Sequence, residues 1–304
     1  MPQVKRTAGT AAGTTVAAPN VAATASDTPR ARPLLKSAGG KAKLAPKILS
    51  LLPATIRTYF EPMVGGGAVF FAMVAEGRCR GAMLSDLNQE VIDVLRAAKG
   101  HVDELVGLLR VYANDPEYYK LMRSADPSNP GVGLAVRAAR TIYLNKTCFN
   151  GLYRVNLKGQ FNVPFGHYAN PTICDRPNLR AVEATLNATP TVLMNGDFEA
   201  AVGSAKKGDA VYFDPPYLPR GRNDNFTSYT AGRFGVEEHE RLAACFRKLA
   251  KKGVAVVLSN ADTVVARRLY KGFTIHGIKA RRNINCDADK RKPVTEILVS
   301  ANTP

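Results

Sequence analysis

The sequence predicts an α/β protein: a mostly parallel β-sheet with helices on both faces, into which a second, mostly helical segment carrying a β-hairpin is inserted. Two observations predict the sheet. Seven short apolar runs, Thr58–Phe60, Ala82–Leu84, Thr191–Met194, Ala210–Phe213, Val254–Leu258, Phe273–Ile278 and Glu296–Val299, read as strands. Helical patterns separate several of them, the clearest after Val236, where Leu242, Cys245, Phe246 and Leu249 share one face. A third observation predicts the insertion. Residues 100–185 contain no buried strand of the parallel type, only helical runs and a polar, glycine-punctuated stretch from Asn150 to Asn162. Leu152, Val155 and Leu157 alternate there with polar residues, and Lys158-Gly159 makes a plausible turn, so this stretch reads as the hairpin.

Taken in order, residues 1–32 are rich in Ala, Thr, Pro and Gly and nearly empty of large apolar side chains, which predicts a disordered basic arm. The arm lacks the apolar stretch of a secretory signal; its Arg-bearing, acid-poor character leaves an organelle transit peptide as a minor alternative. Residues 33–99 and 186–304 form the α/β domain that carries the chemistry, and 100–185 the insertion. Between 137 and 180 lie Arg137, Arg140, Lys146, Arg154, Lys158, Arg176 and Arg180 against the single acid Asp175. Charge alone suits a solvated face equally well. The interleaved Tyr143, Phe149 and Tyr153 favour a nucleic-acid surface, because aromatic rings wedge into or stack on bases.

Composition agrees with a nucleic-acid partner. The 304 residues carry 42 Lys and Arg against 25 Asp and Glu, a net charge of +17, an excess that a fold does not require and a polyanion would use. No window approaches the run of about 18 apolar residues that a membrane span needs. Five scattered cysteines without a C-x-x-C pair, and four histidines without ligand spacing, give no expectation of disulfides or a metal site. A reducing compartment fits, and the chain is expected in the cytoplasm beside the nucleoid, as a monomer.

Two motifs carry the chemistry. Glu61-Pro-Met-Val-Gly-Gly-Gly-Ala-Val-Phe70 sits where a strand gives way to a helix, and glycines there let a ligand approach the backbone closely. Asp86, nineteen positions after Gly67, ends the next strand, where a carboxylate can accept bonds from ribose hydroxyls. Phe70 stands where a dinucleotide fingerprint has its third glycine, so a cofactor without a pyrophosphate is favoured. The second motif, Asp214-Pro215-Pro216-Tyr217, directly follows the apolar run Ala210–Phe213. The prolines fix φ and leave the carbonyls of Asp214 and Pro215 free to accept. Carboxylate, rigid carbonyls and aromatic ring together suit an amino group on a flat heterocycle.

The D-P-P-Y tetrapeptide resembles the signature of the amino-group DNA methyltransferases. From Leu34 to Ser300 the chain is similar to the Dam-type adenine-N6 methyltransferases. The matching blocks are Leu35–Lys41, Glu61–Gly67, Tyr143–Asn145 with Phe149–Leu152, Phe161–Gly166, Asp214–Tyr217, Asn225–Tyr229 and Leu258–Asn260. The resemblance implies a Rossmann-like, S-adenosylmethionine-dependent methyltransferase sheet with an inserted target-recognition domain, acting on duplex DNA, within GATC, by flipping the adenine out. It implies catalysis by Asp214, Pro215, Pro216 and Tyr217. It implies cofactor contacts from Ser37, Lys41, Glu61, Gly65, Gly67, Asp86, Asp197 and Asp214. Lys36, Leu152, Arg154 and Pro164 would read base edges, Phe149 would wedge into the duplex, and Asn150 would support the backbone nearby. Ser37 departs from the family's usual Trp, Met63 from Phe, and Phe149 from Tyr. Three alternatives stay open: cytosine-N4 methylation, whose motif more often begins with Ser; RNA methylation, where Asn commonly stands first; and an inactive DNA-binding module. Carbon-5 cytosine chemistry is not expected, since no Pro-Cys dipeptide occurs.

Overall fold

A computed structural model describes residues 30–36, 39–127, 129, 131–156, 159–218, 234–280 and 294–304. Residues 1–29 of the expected arm, Ser37 and the Asn225–Tyr229 block lie outside these.

All seven expected strands form: β1 (Tyr59–Glu61), β2 (Ala82–Asp86), β3 (Thr191–Asn195), β4 (Ala210–Phe213), β5 (Ala255–Ala261), β6 (Thr274–Ala280) and β7 (Val294–Ala301). They make one sheet in the order β3-β2-β1-β4-β5-β7-β6. The first five are parallel, and β7 enters antiparallel between β5 and β6. Every residue of β4 and β5 is buried, as a parallel strand covered on both faces requires. Their alternate side chains enter separate cores. Tyr212 and Val257 join one cluster, while Val211, Phe213, Val256 and Leu258 join the other.

The helices are α1 (Ala45–Ser50), α2 (Ala68–Ala75), α3 (Gln89–Gly100), α4 (Val102–Val111), α5 (Pro116–Ser124), α6 (Leu134–Thr147), α7 (Arg176–Ala188), α8 (Phe198–Ala201), α9 (Val236–Lys251) and α10 (Val264–Leu269). Side-chain caps start several of them: Asn88 for α3, Asp115 for α5, Asp175 for α7 and Asp197 for α8. Helix α9 buries the expected Leu242, Cys245, Phe246 and Leu249 against the sheet. The strand order reverses direction between β1 and β4, and ligands of open α/β sheets bind in the crevice at such a point.

Residues 100–185 lie between β2 and β3 and contribute to two cores. Leu105, Ile142 and Val182, from α4, α6 and α7, join the first sheet cluster. Tyr119, Tyr143, Leu144, Cys148, Phe161 and Val163 build a small cluster within the segment. Three expectations here are corrected. The expected hairpin is present but shorter than Asn150–Asn162: among the described residues it is one antiparallel bridge, Val155 with Phe161, flanked by bonds between Asn156 and Gln160 and between Arg154 and Asn162, while Leu157 and Lys158 lie outside the described residues. Among the described residues no third strand pairs with it, and a short ladder of this kind does not hold longer arms alone. Tyr143 is a core residue whose hydroxyl donates to the Ala113 carbonyl, and not a surface ring. The basic surface is also smaller than the composition suggests, because Arg137 pairs with Asp93, Arg140 with Glu90 and Arg180 with Asp103.

Candidate functional site

The carboxyl edge of the sheet collects the motif residues. Gly67 starts α2 with φ +72° and Gly65 turns the preceding loop with φ +47°, values that side chains rarely adopt. A Cβ on Gly65 would meet nothing within 4 Å, so this backbone lies open. The loop is fastened to β2: the Gly65 amide donates to Asp86 Oδ2 at 2.9 Å, and Asp86 Oδ1 accepts from the Asn88 amide at 2.9 Å. Burial pushes the Asp86 carboxyl up, and these two amides pull it back. Beside them opens a cleft of about 240 Å3, lined among others by Gly65, Gly66, Asp86, Leu144, Tyr153 and Phe161.

Asp214 follows β4 at the same edge. Its Oδ1 lies 2.8 Å from Lys41 Nζ and 2.6 Å from the Ser259 hydroxyl. Lys41, buried in a 3₁₀ turn (Lys41–Lys43), also sits 4.8 Å from the centre of the Tyr217 ring. The Tyr217 hydroxyl donates to Glu296 Oε2 on β7 at 3.0 Å. Glu61 is buried nearby and accepts from the Tyr59 hydroxyl at 2.9 Å. Burial pushes its carboxyl up to about 8, and the negative charge of Asp214 adds to the rise. Among the described residues both anchors of Asp214, Lys41 and Ser259, meet Oδ1.

The tetrapeptide is held from behind. Asn260 Oδ1 accepts from the Leu218 amide at 3.1 Å, and its Nδ2 lies 3.5 Å from the buried His239 Nδ1. His239 also bonds to the Pro216 backbone; its burial pushes the imidazole down to about 4, against the opposing pull of that bond. A folded-state value below the usual 6.5 means that the unfolded chain binds more protons between about 6.5 and 4. His239 therefore contributes stability that is lost as pH falls through that window. The melting temperature of His239→Gln should decline less than that of the wild type between pH 7 and 4.5, a relative change on the order of 2 kcal/mol. Parallel pH profiles for the two proteins would refute this.

All six expected DNA-facing residues are among those described. Lys36 Nζ sits 4.9 Å from the Tyr168 ring centre, and the Tyr168 hydroxyl accepts from the Asn150 amide at 2.9 Å. Phe149, 39% exposed, donates its amide to the Pro164 carbonyl at 2.9 Å. Arg154 is exposed and donates to Asn162 Oδ1 at 2.7 Å and to its carbonyl at 3.1 Å. Leu152 is half-buried against the small cluster. Lys36 stands five positions before Lys41, which pairs with Asp214, a span of at most about 18 Å. Of the expected cofactor residues that are described, Gly65 and Asp86 line the cleft, whereas Lys41, Glu61, Gly67, Asp197 and Asp214 do not; Asp197 caps α8, and its carboxylate is paired with Arg241.

Ser259, Glu296, His239 and Tyr168 were not singled out from the sequence. Ser259 and Asn260 lay inside a recognised block; the other three come from distant elements and carried no signal in spacing.

The chain matches the D12 class N6 adenine-specific DNA methyltransferase family over residues 37–284. It is 42% identical over 273 residues to the type II methyltransferase M1.LlaDCHI of Lactococcus lactis subsp. cremoris, covering 88% of this chain and 95% of the relative. It is 33% identical over 276 residues to the DNA adenine methylase of Escherichia coli, covering 88% and 94%. Among solved structures, the rRNA methyltransferase AviRa from Streptomyces viridochromogenes aligns with a TM-score of 0.37 at 15% identity, over 86% of this chain and 85% of that one. With the glycine loop, the Asp214–Tyr217 tetrapeptide and the matched length taken together, this chain belongs to the D12 class of N6 adenine-specific DNA methyltransferases.

Proposed function

We propose that the chain methylates the exocyclic N6 of an adenine flipped out of duplex DNA, within GATC, with S-adenosylmethionine as methyl donor. The observation that carries the reading is Asp214, clamped through Oδ1 by Lys41 and Ser259 at the mouth of the strand-order crevice.

The donor's site is tested by the cleft. Gly65 presents backbone that no side chain covers, and Asp86 supplies a carboxylate whose amide anchors fix its direction. These fit a nucleoside, and Lys41, Glu61, Gly67, Asp197 and the position of Ser37 complete the proposed contacts. When bound, the donor supplies an electrophilic methyl group. Asp197 would contribute once Arg241 releases it.

The chain's own residues act on the amino group. The adenine nitrogen is a poor nucleophile because its lone pair is delocalised into the ring. Asp214 Oδ2 and the Pro215 carbonyl accept its two hydrogens, which lets the nitrogen pyramidalise and direct its lone pair at the methyl. Tyr217, tethered to Glu296, stacks on the base. Positioning of this kind contributes several kcal/mol without a covalent intermediate. The proton leaves after transfer, through Asp214 to water. Residues 100–185 would carry target recognition, with Phe149 filling the gap left by the flipped base and Asn150 supporting the backbone. Lys36, Leu152, Arg154 and Pro164 would meet base edges.

Transfer of labelled methyl groups to duplexes with and without adenine in GATC, and modification-sensitive digestion of the product, test the reading. Methylation that ignores the GATC sequence would overturn the specificity. Arg154→Ala should lose about 1–3 kcal/mol of discrimination at one base pair, so near-cognate sites are methylated relatively better. If all rates drop together and their ratios hold, Arg154 is a phosphate clamp.

A further inference from the structure

Strand direction sorts charge in this protein. The carboxyl edge of the sheet carries Glu61, Asp86, Asp197 and Asp214. The loops that enter the strands at the opposite edge are basic. Arg80 precedes β2, Lys206 and Lys207 precede β4, Lys251 and Lys252 precede β5, and Lys271 precedes β6. Because β7 is antiparallel to both β5 and β6, β6 runs with the parallel strands, and all these loops share one edge. The six side chains are exposed, and none has an ion-pair partner among the described residues. The two acids of these loops are already engaged, Asp209 by Arg57 and Glu76 by Arg78. One cation at the end of a helix is ordinary complementation of its dipole. Pairs of lysines after the four-residue α8 and at the end of α9, with no free acid between them, exceed that need.

We infer that this amino edge is a second, sequence-independent binding surface for duplex DNA, placed to hold another segment while the reading surface engages a target. The inference rests on the reading of duplex DNA as substrate. Dimensions support it. From β2 to β6 the sheet makes five strand steps of about 4.8 Å, so the row extends about 24 Å. Phosphates recur every 3.4 Å along each strand of a duplex, so such a row follows about seven base pairs. Lysines suit this task, since compact, mobile charges neutralise phosphates without reading bases. Ion pairs to Asp93, Glu90 and Asp103 engage Arg137, Arg140 and Arg180, whereas the six cations of the opposite edge have no such partner among the described residues.

The test is the combined variant Lys206→Gln, Lys207→Gln, Lys251→Gln, Lys252→Gln, which changes only exposed side chains. Binding of a duplex without a target is measured against salt, and methylation is followed on a duplex of about 20 base pairs carrying one target. Each lost phosphate contact lowers the salt slope by about 0.9, so the slope should fall by about 3 to 4. The wild type should also hold a second, target-free duplex while bound to the first, and the variant should lose it. The rate on the short duplex should stay within about twofold. An unchanged slope with unchanged second-duplex binding overturns the inference, as does stronger competition by single-stranded RNA than by duplex DNA. Failure of the wild type to methylate the short duplex overturns the proposed function instead, since target-free binding is read independently.

Discussion

Asp214→Ala is expected to reduce methyl transfer by about 10²–10³, the usual cost of removing one hydrogen-bonding group that acts in the transition state. The structure adds a control. Alanine also strips Lys41, which is 7% exposed, of its ion pair, so part of any loss could come from a disturbed 3₁₀ turn. Asp214→Asn keeps a side-chain oxygen for Ser259 and removes the charge and one acceptor. Both variants should lose turnover, while DNA affinity stays close to wild type and the melting temperature of the asparagine variant changes least. Turnover above a tenth of wild type in the alanine variant would remove Asp214 from the proposed role. A fall in DNA affinity as large as the fall in turnover would make it a structural anchor.

Affinity for DNA should fall by about 10³–10⁵ between 50 and 200 mM salt, as six to ten phosphate contacts require. The net charge of +17 predicts a steep response, and the structure decides which residues produce it. Arg137, Arg140 and Arg180 serve the fold, so replacing them should destabilise the protein more than it flattens the slope. Lys36 and Arg154, on the proposed reading surface, and Arg176 are exposed cations that remain to meet phosphates. Titration of one duplex at four or five salt concentrations measures the slope, and a nearly flat line would place the positive charge away from DNA.

By itself the sequence determined the sheet. All seven strand segments were legible, most plainly β4 and β5, because parallel strands covered on both faces are continuous apolar runs, and the helix after Val236 was legible because its apolar face repeats with helical period. The two motifs were legible because each needs residue types that a bland turn does not, three glycines in a row or two prolines behind an aspartate. Tertiary structure decided the rest. A run of arginines reads the same in sequence whether it faces phosphates or Asp93, Glu90 and Asp103, since its partners sit tens of residues away. Tyr143 and Tyr153 look alike in the chain, but one closes a core and the other is exposed. The clamp on Asp214 needs Lys41 from before β1 and Ser259 from β5, and Glu296 on β7 reaches Tyr217 only because β7 lies beside β5. Local patterns record which face of a strand is buried, whereas the partner that an exposed charge or hydroxyl finds depends on which strands the fold makes neighbours.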